Sequence, residues 1–153
     1  MTKKVLVLSA SFRKHGNSDM LCDRFIQGAR EAGNEVEKIY VSDMRIGYCR
    51  GCGVCNRTHK CVQNDDMAAV LDKMVAADVI VMATPVYFYS MNGQLKTLID
   101  RTVPRYEEIR GKDFYYIVAA ADDNRDNMRR TIEGFRAFAD DCLEGSREKG
   151  IVY

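Results

Sequence analysis

The sequence predicts an α/β fold in which a parallel sheet carries helices on both faces. Short continuous apolar runs, such as Val5–Leu8, are typical of strands that are buried on both sides of a parallel sheet. These runs alternate with longer segments in which apolar residues recur every three or four positions, as in amphipathic helices. Because the alternation continues over all 153 residues without a linker or repeat, we expect one domain spanning 1–153.

The first half of the chain predicts two strands and two helices. The strands are Val5–Leu8 and Val36–Val41. We expect Ser18 to cap the first helix and Gly33 to end it. Asp65 or Asp66 is expected to cap the second helix. The apolar positions that should face the sheet are Leu21, Phe25, Ala29 and Ala32 in the first helix, and Met67, Val70, Leu71, Met74 and Val75 in the second.

The second half continues the same alternation. Strands are predicted at Val79–Ala83 and Phe114–Ala121. Ser90 is expected to cap a helix with Met91, Leu95, Leu98 and Ile99 facing inward, and a later helix has Met128, Ile132, Phe135 and Ala139 as its apolar face. The terminal residues Gly150–Tyr153 resemble the opening of a fifth strand. No helical pattern follows these residues, so we expect the final helix of such a fold to be missing.

Charge and hydropathy exclude several classes of function. Lys and Arg number 23 and Asp and Glu 22, a net charge of +1, so no general basic field is available for nucleic acid or an anionic membrane. No apolar run approaches the roughly 20 residues of a membrane helix, and Val5–Leu8 is too short for the core of a signal peptide. We therefore expect a cytoplasmic protein with no nucleic-acid or membrane partner.

The loop after the first strand, Ser9–Ser18, is rich in hydroxyl groups and cations and leads directly into a helix. The N-terminus of a helix offers unpaired N–H groups and a positive dipole end, which suit a phosphate. Ser11, Asn17 and Ser18 could add hydrogen bonds and Arg13 could add charge. Neither a nucleoside-triphosphate P-loop nor Gly-x-Gly-x-x-Gly is present. The alternative is a polar turn in which Ser18 only caps the helix.

Two segments together carry a family resemblance. Ser-x-Ser-x-Arg-x-x-Gly-Asn-Ser, at 9–18, resembles the phosphate-binding loop of the NAD(P)H-dependent FMN reductase group of flavodoxin-like proteins. Thr84–Ser90, followed by Gln94–Arg101, is similar to that group's second flavin loop and the helix after it. The resemblance implies a flavodoxin-like three-layer sandwich with a five-stranded parallel sheet in the order 2-1-3-4-5, and FMN as cofactor.

The resemblance also implies a set of FMN-binding residues. They are Ser9, Ser11, Phe12, Arg13, Asn17, Ser18, Pro85, Val86, Tyr87, Phe88, Tyr89 and, in a weaker third loop, Ala121. A flavin ring needs a flat and mostly apolar slot, and Pro85 followed by three aromatic residues just past a buried strand offers such a wall. The alternative is that these aromatic side chains extend the core.

Four of the six cysteines fall within thirteen residues, as Cys49-x-x-Cys52-x-x-Cys55-x5-Cys61. In a reducing compartment such a cluster indicates metal, cluster or redox chemistry rather than disulfides. This loop, 47–64, contains three glycines and could wrap around one soft-metal centre. It resembles the iron–sulfur flavoproteins, in which such a motif holds a 4Fe-4S cluster beside FMN. Structural zinc and free or redox-active thiols remain alternatives. Cys22 and Cys142 are expected to be inert core thiols.

The predicted function is an FMN-dependent oxidoreductase, reduced by NAD(P)H or by a ferredoxin-like protein, with a 4Fe-4S cluster on the cysteine loop. No catalytic side chain is expected, because the flavin performs the chemistry. The alternatives are an NAD(P)H-dependent flavin or quinone reductase without a cluster, a pure electron carrier, and a redox or metal sensor. Analogy with such proteins suggests a homodimer or homotetramer.

Overall fold

A computed structural model describes residues 1–153 and contains one mainly parallel sheet. Its strands are β1 (Lys4–Ser9), β2 (Glu35–Tyr40), β3 (Val79–Tyr87), β4 (Ser90–Met91), β5 (Asp113–Ala119) and β6 (Arg147–Val152). The five long strands are parallel and lie in the order β2-β1-β3-β5-β6, while the two-residue β4 pairs antiparallel with the end of β3. This arrangement confirms the predicted flavodoxin-like order, with the short β4 as a sixth strand.

Helices cover both faces of the sheet. They are α1 (Asn17–Glu31), α2 (Cys55–Thr58), α3 (Met67–Ala76), α4 (Gly93–Asp100) and α5 (Arg129–Arg136), and a π-helical turn, Ala137–Asp141, continues α5. Residues of α3, α4 and α5 form the larger apolar core with one face of the sheet. Cys22 and Ile26 of α1 pack against Val5 and Val7 on the other face. None of these helices combines the length and the apolar character that crossing a membrane requires.

The third strand is longer than the sequence predicted, because β3 passes through Thr84-Pro85 and ends at Tyr87. Its pairing with β1 stops at Ala83, whereas its pairing with β5 continues to Pro85. Beyond Ala83 the strand is therefore an edge on the β1 side, where a proline without an N–H group is tolerated. The prediction that the strand ends at Ala83 was wrong for this reason.

Two of three predicted helix caps differ from expectation. The N-cap of α1 is Gly16, and Ser18 lies buried inside the first turn. Ser90 belongs to β4, and the side chain of Asn92 caps α4 instead by accepting a hydrogen bond from the N–H of Leu95 at 3.2 Å. At α3, Asp65 accepts from the N–H of Met67 at 3.2 Å, as expected.

Several predicted faces and ends also shift. The fully buried stripe of α1 is Ser18, Cys22 and Ile26, with Leu21, Phe25 and Ala29 half-buried along its border and Ala32 exposed. The last strand begins at Arg147 rather than Gly150. Cys22 is buried as predicted, but Cys142 is exposed, because it lies just past the π-helical turn that ends the α5 segment. Apolar periodicity locates a helix better than it locates the centre of its buried face.

Candidate functional site

The predicted cofactor-binding residues meet at one edge of the sheet. β1, β3 and β5 are parallel neighbours, so the segments that follow them lie together at the carboxyl ends of the strands. The first segment contributes 9–18, the second 85–89 and the third Ala121. This edge is where open α/β sheets bind ligands.

The loop after β1 presents free backbone donors. Ser11 Oγ accepts a hydrogen bond from the N–H of Arg13 at 3.0 Å, and the N–H of Gly16 donates to the carbonyl of Arg13 at 2.9 Å. The N–H groups of Phe12, Lys14, Asn17 and Ser18 have no acceptor within the protein. A tight turn with outward N–H groups at the start of a helix is suited to an anion.

Gly16 is required by the tightness of this turn. A Cβ atom at position 16 would lie 3.0 Å from the carbonyl oxygen of Arg13 and 3.1 Å from its Cβ. A larger residue would therefore require Arg13 to move by a few tenths of an ångström. The glycine that the sequence motif contains thus has a steric role.

The side chains of this loop divide between surface and interior. Phe12, Arg13 and Asn17 are exposed, whereas Ser11 and Ser18 are buried. Ser9 is fully buried, and its hydroxyl donates to Asp19 Oδ1 at 3.1 Å. The Ser9 hydroxyl is thus engaged beneath the loop.

Asp19 is a buried carboxylate under the loop that sequence reasoning missed. It accepts from the N–H of His15 at 2.8 Å and pairs with Lys38 Nζ at 2.6 Å. Burial raises the pKa of Asp19, but the hydrogen bonds from Lys38, His15 and Ser9 and the Lys38 charge outweigh it, so the pKa is lowered overall. The carboxylate therefore stays ionised and holds the loop to α1. An acidic residue in a first helical turn is common, and nothing in the sequence links it to Lys38.

The hairpin between β3 and β4 exposes the predicted aromatic wall. Phe88 and Tyr89 form its turn with φ of 48° and 64°, in the left-handed region that bulky residues rarely adopt. Tyr87, Phe88 and Tyr89 are 53%, 100% and 52% exposed, so they do not extend the core. Strained backbone of this kind clusters at ligand-binding sites, and the three exposed rings offer apolar surface at the same edge of the sheet as the loop after β1.

Asn92 ties the elements of this edge together. Its Nδ2 donates to the carbonyl of Ala10 at 2.7 Å, and its backbone N–H donates to Thr84 Oγ1 at 3.0 Å. Since its Oδ1 also caps α4, one buried side chain joins the loop after β1, the end of β3 and a helix. The sequence predicted Ser90 as the cap of this helix.

The four clustered cysteines line a single cavity of about 210 Å³, to which Arg101 also contributes. Cys49 and Cys52 are exposed, Cys55 and Cys61 are half-buried, and all four are free thiols. The N–H of Gln63 donates to Cys61 Sγ at 3.5 Å. No three of the four sulfurs lie within 4.8 Å of one another. The structure thus brings all the predicted metal ligands to one place as a loosely spaced, all-thiol donor set.

An ion pair anchors the cysteine loop. Asp65 accepts from Arg101 Nη1 at 2.7 Å and Nη2 at 3.0 Å, and from the N–H of Gly47 at 2.9 Å. Burial raises the pKa of Asp65, but the hydrogen bonds from Arg101, Gly47 and Met67 lower it overall. The hydrogen bond to Asp65 and the charge of Asp65 raise the pKa of Arg101, with a smaller contribution from Cys61. Residues 47 and 65, on either side of the four cysteines, are therefore fixed to the end of α4.

Comparison with known proteins assigns the chain to a family. The family model described as NADPH-dependent FMN reductase matches residues 3–131. An iron-sulfur flavoprotein of Archaeoglobus fulgidus is 38% identical over 101 residues, which is 66% of this chain and 46% of that protein. One from Methanosarcina thermophila is 37% identical over 100 residues, 65% of this chain and 52% of its own length. The match thus spans about half the length of these curated relatives.

The fold is shared with solved structures. A flavone reductase superposes with a TM-score of 0.75 at 23% identity, over 97% of this chain and 53% of its own. At that level of identity the similarity establishes the fold alone.

Proposed function

The chain belongs to the NADPH-dependent FMN reductase family, and we propose that it is an FMN-dependent oxidoreductase with a 4Fe-4S cluster in its four-cysteine cavity. The flavin part of this proposal is supported by the family and by the loops that meet at the carboxyl edge of the sheet. The observation that carries the cluster is the convergence of Cys49, Cys52, Cys55 and Cys61 on one cavity. We further propose that 1–153 forms one FMN-binding domain.

The loop after β1 fits the phosphate of FMN. Its free N–H groups and the N-terminus of α1 supply donors without any rearrangement. Arg13, exposed beside them, supplies the positive charge. Ser11 keeps the turn closed by accepting the N–H of Arg13, while Asp19 stays paired with Lys38 and is thereby held away from a bound anion.

The hairpin fits the flavin ring. Pro85 and Val86 are half-buried, and Tyr87 and Phe88 present apolar surface to solvent at the same edge. When bound, FMN accepts hydride from NAD(P)H, and a cluster exchanges single electrons with a partner. The task of the protein is then to bind, orient and shield, which requires no acidic or basic catalytic side chain.

The spacing of the motif favours a cluster over one zinc ion. Structural zinc sites are typically built from two separated pairs of ligands, whereas Cys49, Cys52 and Cys55 follow one another at intervals of three residues. Thiolates are also the ligands that iron–sulfur clusters require.

We propose NAD(P)H as the electron donor of the protein. The family description supports NAD(P)H as cosubstrate, and a ferredoxin-like protein is the alternative one-electron donor. We also propose that the protein assembles as a homodimer or homotetramer, since Phe88 and its aromatic neighbours are more exposed than apolar side chains of a monomer usually are.

The decisive experiment is an absorption spectrum of protein purified without oxygen, with iron and sulfide assays on the same sample. We expect flavin bands, broad absorbance at about 400 nm and about four irons per chain. A variant with Cys52→Ser and Cys55→Ser should lose the iron, whereas Cys142→Ser, which removes another exposed thiol, should retain it.

Two other outcomes would change the assignment. Flavin without iron, even after anaerobic reconstitution, would leave a reductase whose exposed Cys49 and Cys52 have another role. Failure to bind added FMN would overturn the proposal entirely. Anaerobic mixing with NADPH then separates the donors, because an NADPH-dependent enzyme bleaches its flavin and a carrier fed only by ferredoxin does not.

A further inference from the structure

Arg101 holds an unsatisfied hydrogen-bond donor next to the four-cysteine cavity. The side chain lines the cavity and is only 2% exposed. Its two Nη groups bind Asp65 and the carbonyl of Gly47, but the buried Nε has no partner within the protein. A buried donor without an acceptor destabilises a fold, so such a group indicates a missing acceptor.

The guanidinium cannot satisfy this donor by turning. Both Nη groups donate hydrogen bonds to Asp65 in a bidentate pair, which fixes the plane of the guanidinium. The backbone of Arg101 is held at the end of α4, since its N–H bonds the carbonyls of Thr97 and Leu98, each at 3.1 Å. The direction of the free Nε–H is therefore set before any ligand binds.

We propose that Arg101 is a positioning residue for the cluster, whose Nε–H donates to the cluster-bound thiolate of Cys61. The inference rests on the proposed cluster and extends it to a residue outside the cysteine motif. Cys61 lines the same cavity as Arg101, and its sulfur already accepts the N–H of Gln63. A thiolate ligand is a strong acceptor for a second donor.

This hydrogen bond raises the reduction potential of the cluster. Reduction adds negative charge to the cluster sulfurs, so a fixed donor stabilises the reduced form more than the oxidised form. Because Asp65 neutralises the guanidinium charge, the effect comes mainly from the directed N–H group. A lysine at position 101 would keep the charge and lose the planar fork.

The test is an anaerobic redox titration of the cluster, followed by electron paramagnetic resonance, in the wild type, Arg101→Lys and Arg101→Gln. We expect both variants to shift the cluster about tenfold toward the oxidised form, which for one electron is about 59 mV. Lys96→Gln removes a charge from an exposed position of the same helix and should leave the potential unchanged. FMN content and thermal stability report on folding.

A wild-type measurement covers the case in which the Arg101 variants do not fold. Protein labelled with 15N at arginine Nε should show an arginine nitrogen coupled to the reduced cluster in pulsed resonance spectra. The coupling should persist in Arg50→Lys, which removes the arginine between Cys49 and Gly51.

The outcomes separate the two proposals. A wild-type protein that never binds iron would overturn the cluster and this inference together. A protein that binds the cluster, but shows no arginine coupling or an unchanged potential in folded Arg101→Lys, would overturn the role of Arg101 alone.

Discussion

At the residue scale, the loop after β1 rests on a buried ion pair. Asp19 is fully buried, and Lys38 reaches both Asp19 at 2.6 Å and Asp23 at 2.7 Å. Hydrogen bonds to these carboxylates raise the pKa of Lys38 against the desolvation that lowers it. With one pKa lowered and the other raised, the pair contributes stability from above the usual Asp pKa of 3.8 to below the usual Lys pKa of 10.5.

Removal of Lys38 tests this pair. We expect Lys38→Met to lower the free energy of unfolding at neutral pH by about 3 kcal/mol, because it leaves Asp19 as a buried charge without a cation. Urea denaturation measures the loss. Lys73→Met is the matched control, since its partner Glu37 lies on the surface, and it should lower the same quantity by less than about 1 kcal/mol.

A double variant identifies the cause of the loss. Asp19→Asn combined with Lys38→Met should recover part of the stability, because the uncompensated charge is then gone. If the double variant is as unstable as the sum of the two single variants, loss of the contact between Lys38 Nζ and the Tyr40 ring, 4.6 Å from its centroid, explains the loss of stability instead.

Cys22 lowers the stability of the protein at alkaline pH. Burial raises the pKa of this thiol from its usual 9.0 to about 12. A group with a raised folded pKa favours the folded state fully below its unfolded pKa and loses that contribution as the pH rises toward the folded value. At pH 10 the thiol ionises in the unfolded state only, which lowers the free energy of unfolding by about 1.4 kcal/mol.

The measurement compares unfolding at pH 8 and pH 10 in the wild type and Cys22→Ala. The variant is less stable at both values because it lacks a core side chain, but its loss between them should be smaller by about 1.4 kcal/mol. Cys142→Ala, at an exposed thiol, should follow the wild type. Equal pH dependence in Cys22→Ala and the wild type would show that other groups lower the stability at alkaline pH.

At the element scale, α4 connects the two candidate sites. Asn92 precedes it at the flavin edge and Arg101 follows it at the cysteine cavity. Eight residues at about 1.5 Å each make it about 12 Å long. One short helix therefore fixes the spacing between the loop after β1 and the cavity.

Asn92→Ala should destabilise the protein by about 2–4 kcal/mol. The change removes the cap of α4, worth about 1 kcal/mol, and leaves the buried carbonyl of Ala10 without its donor, at about 1–3 kcal/mol. Asn124→Ala removes an exposed cap and should cause a loss of about 1 kcal/mol or less. Thermal unfolding of the two variants measures both losses. Similar losses in Asn92→Ala and Asn124→Ala would contradict a stabilising hydrogen bond from Asn92 to the carbonyl of Ala10.

Elements were predictable where the chain determines them locally. Apolar runs located every long strand, and the faces of α3 and α5 were predicted correctly. The end of β3 was not predictable, because Pro85 is tolerated only where β1 has already ended. Neither was the cap at Asn92, whose advantage over Ser90 comes from a carbonyl 82 residues away in the chain.

At the scale of the whole molecule, the order of the strands could be predicted from the sequence, but contacts between side chains that are distant in the chain could not. The strand order could be predicted from the strand–helix alternation and the resemblance together, and so could the edge at which 9–18 and 85–89 meet. The pairs Asp19–Lys38 and Asp65–Arg101 could not, since they join side chains that are 19 and 36 positions apart. No motif contains both partners of either pair.

The two candidate sites draw on different parts of this molecule. The flavin edge follows strands of the buried sheet, whereas the cysteine loop lies outside both apolar cores and is anchored by Asp65 and Arg101. No hydrogen bond joins the cysteine loop, 47–64, to residues 9–18 or 85–89. The loop after β1 is instead held to the segment before the cysteine loop, where Ser42 Oγ donates to the carbonyl of Ser11 at 3.3 Å and Lys14 Nζ pairs with Asp43 at 2.7 Å. The two sites should therefore lose their cofactors independently.

We therefore expect variants at each site to affect the binding of one cofactor and not of the other. Cys52→Ser with Cys55→Ser should abolish iron binding and leave the FMN dissociation constant within about twofold, because neither side chain contacts the flavin edge. Ser11→Ala with Arg13→Gln should raise that constant at least about tenfold by opening the turn and removing its charge, while the iron content stays unchanged. Fluorescence titration with FMN and an iron assay on each variant measure both quantities. Loss of FMN binding in the cysteine variant would mean instead that the cysteine loop shapes the flavin site, and that the two cofactors bind as one unit.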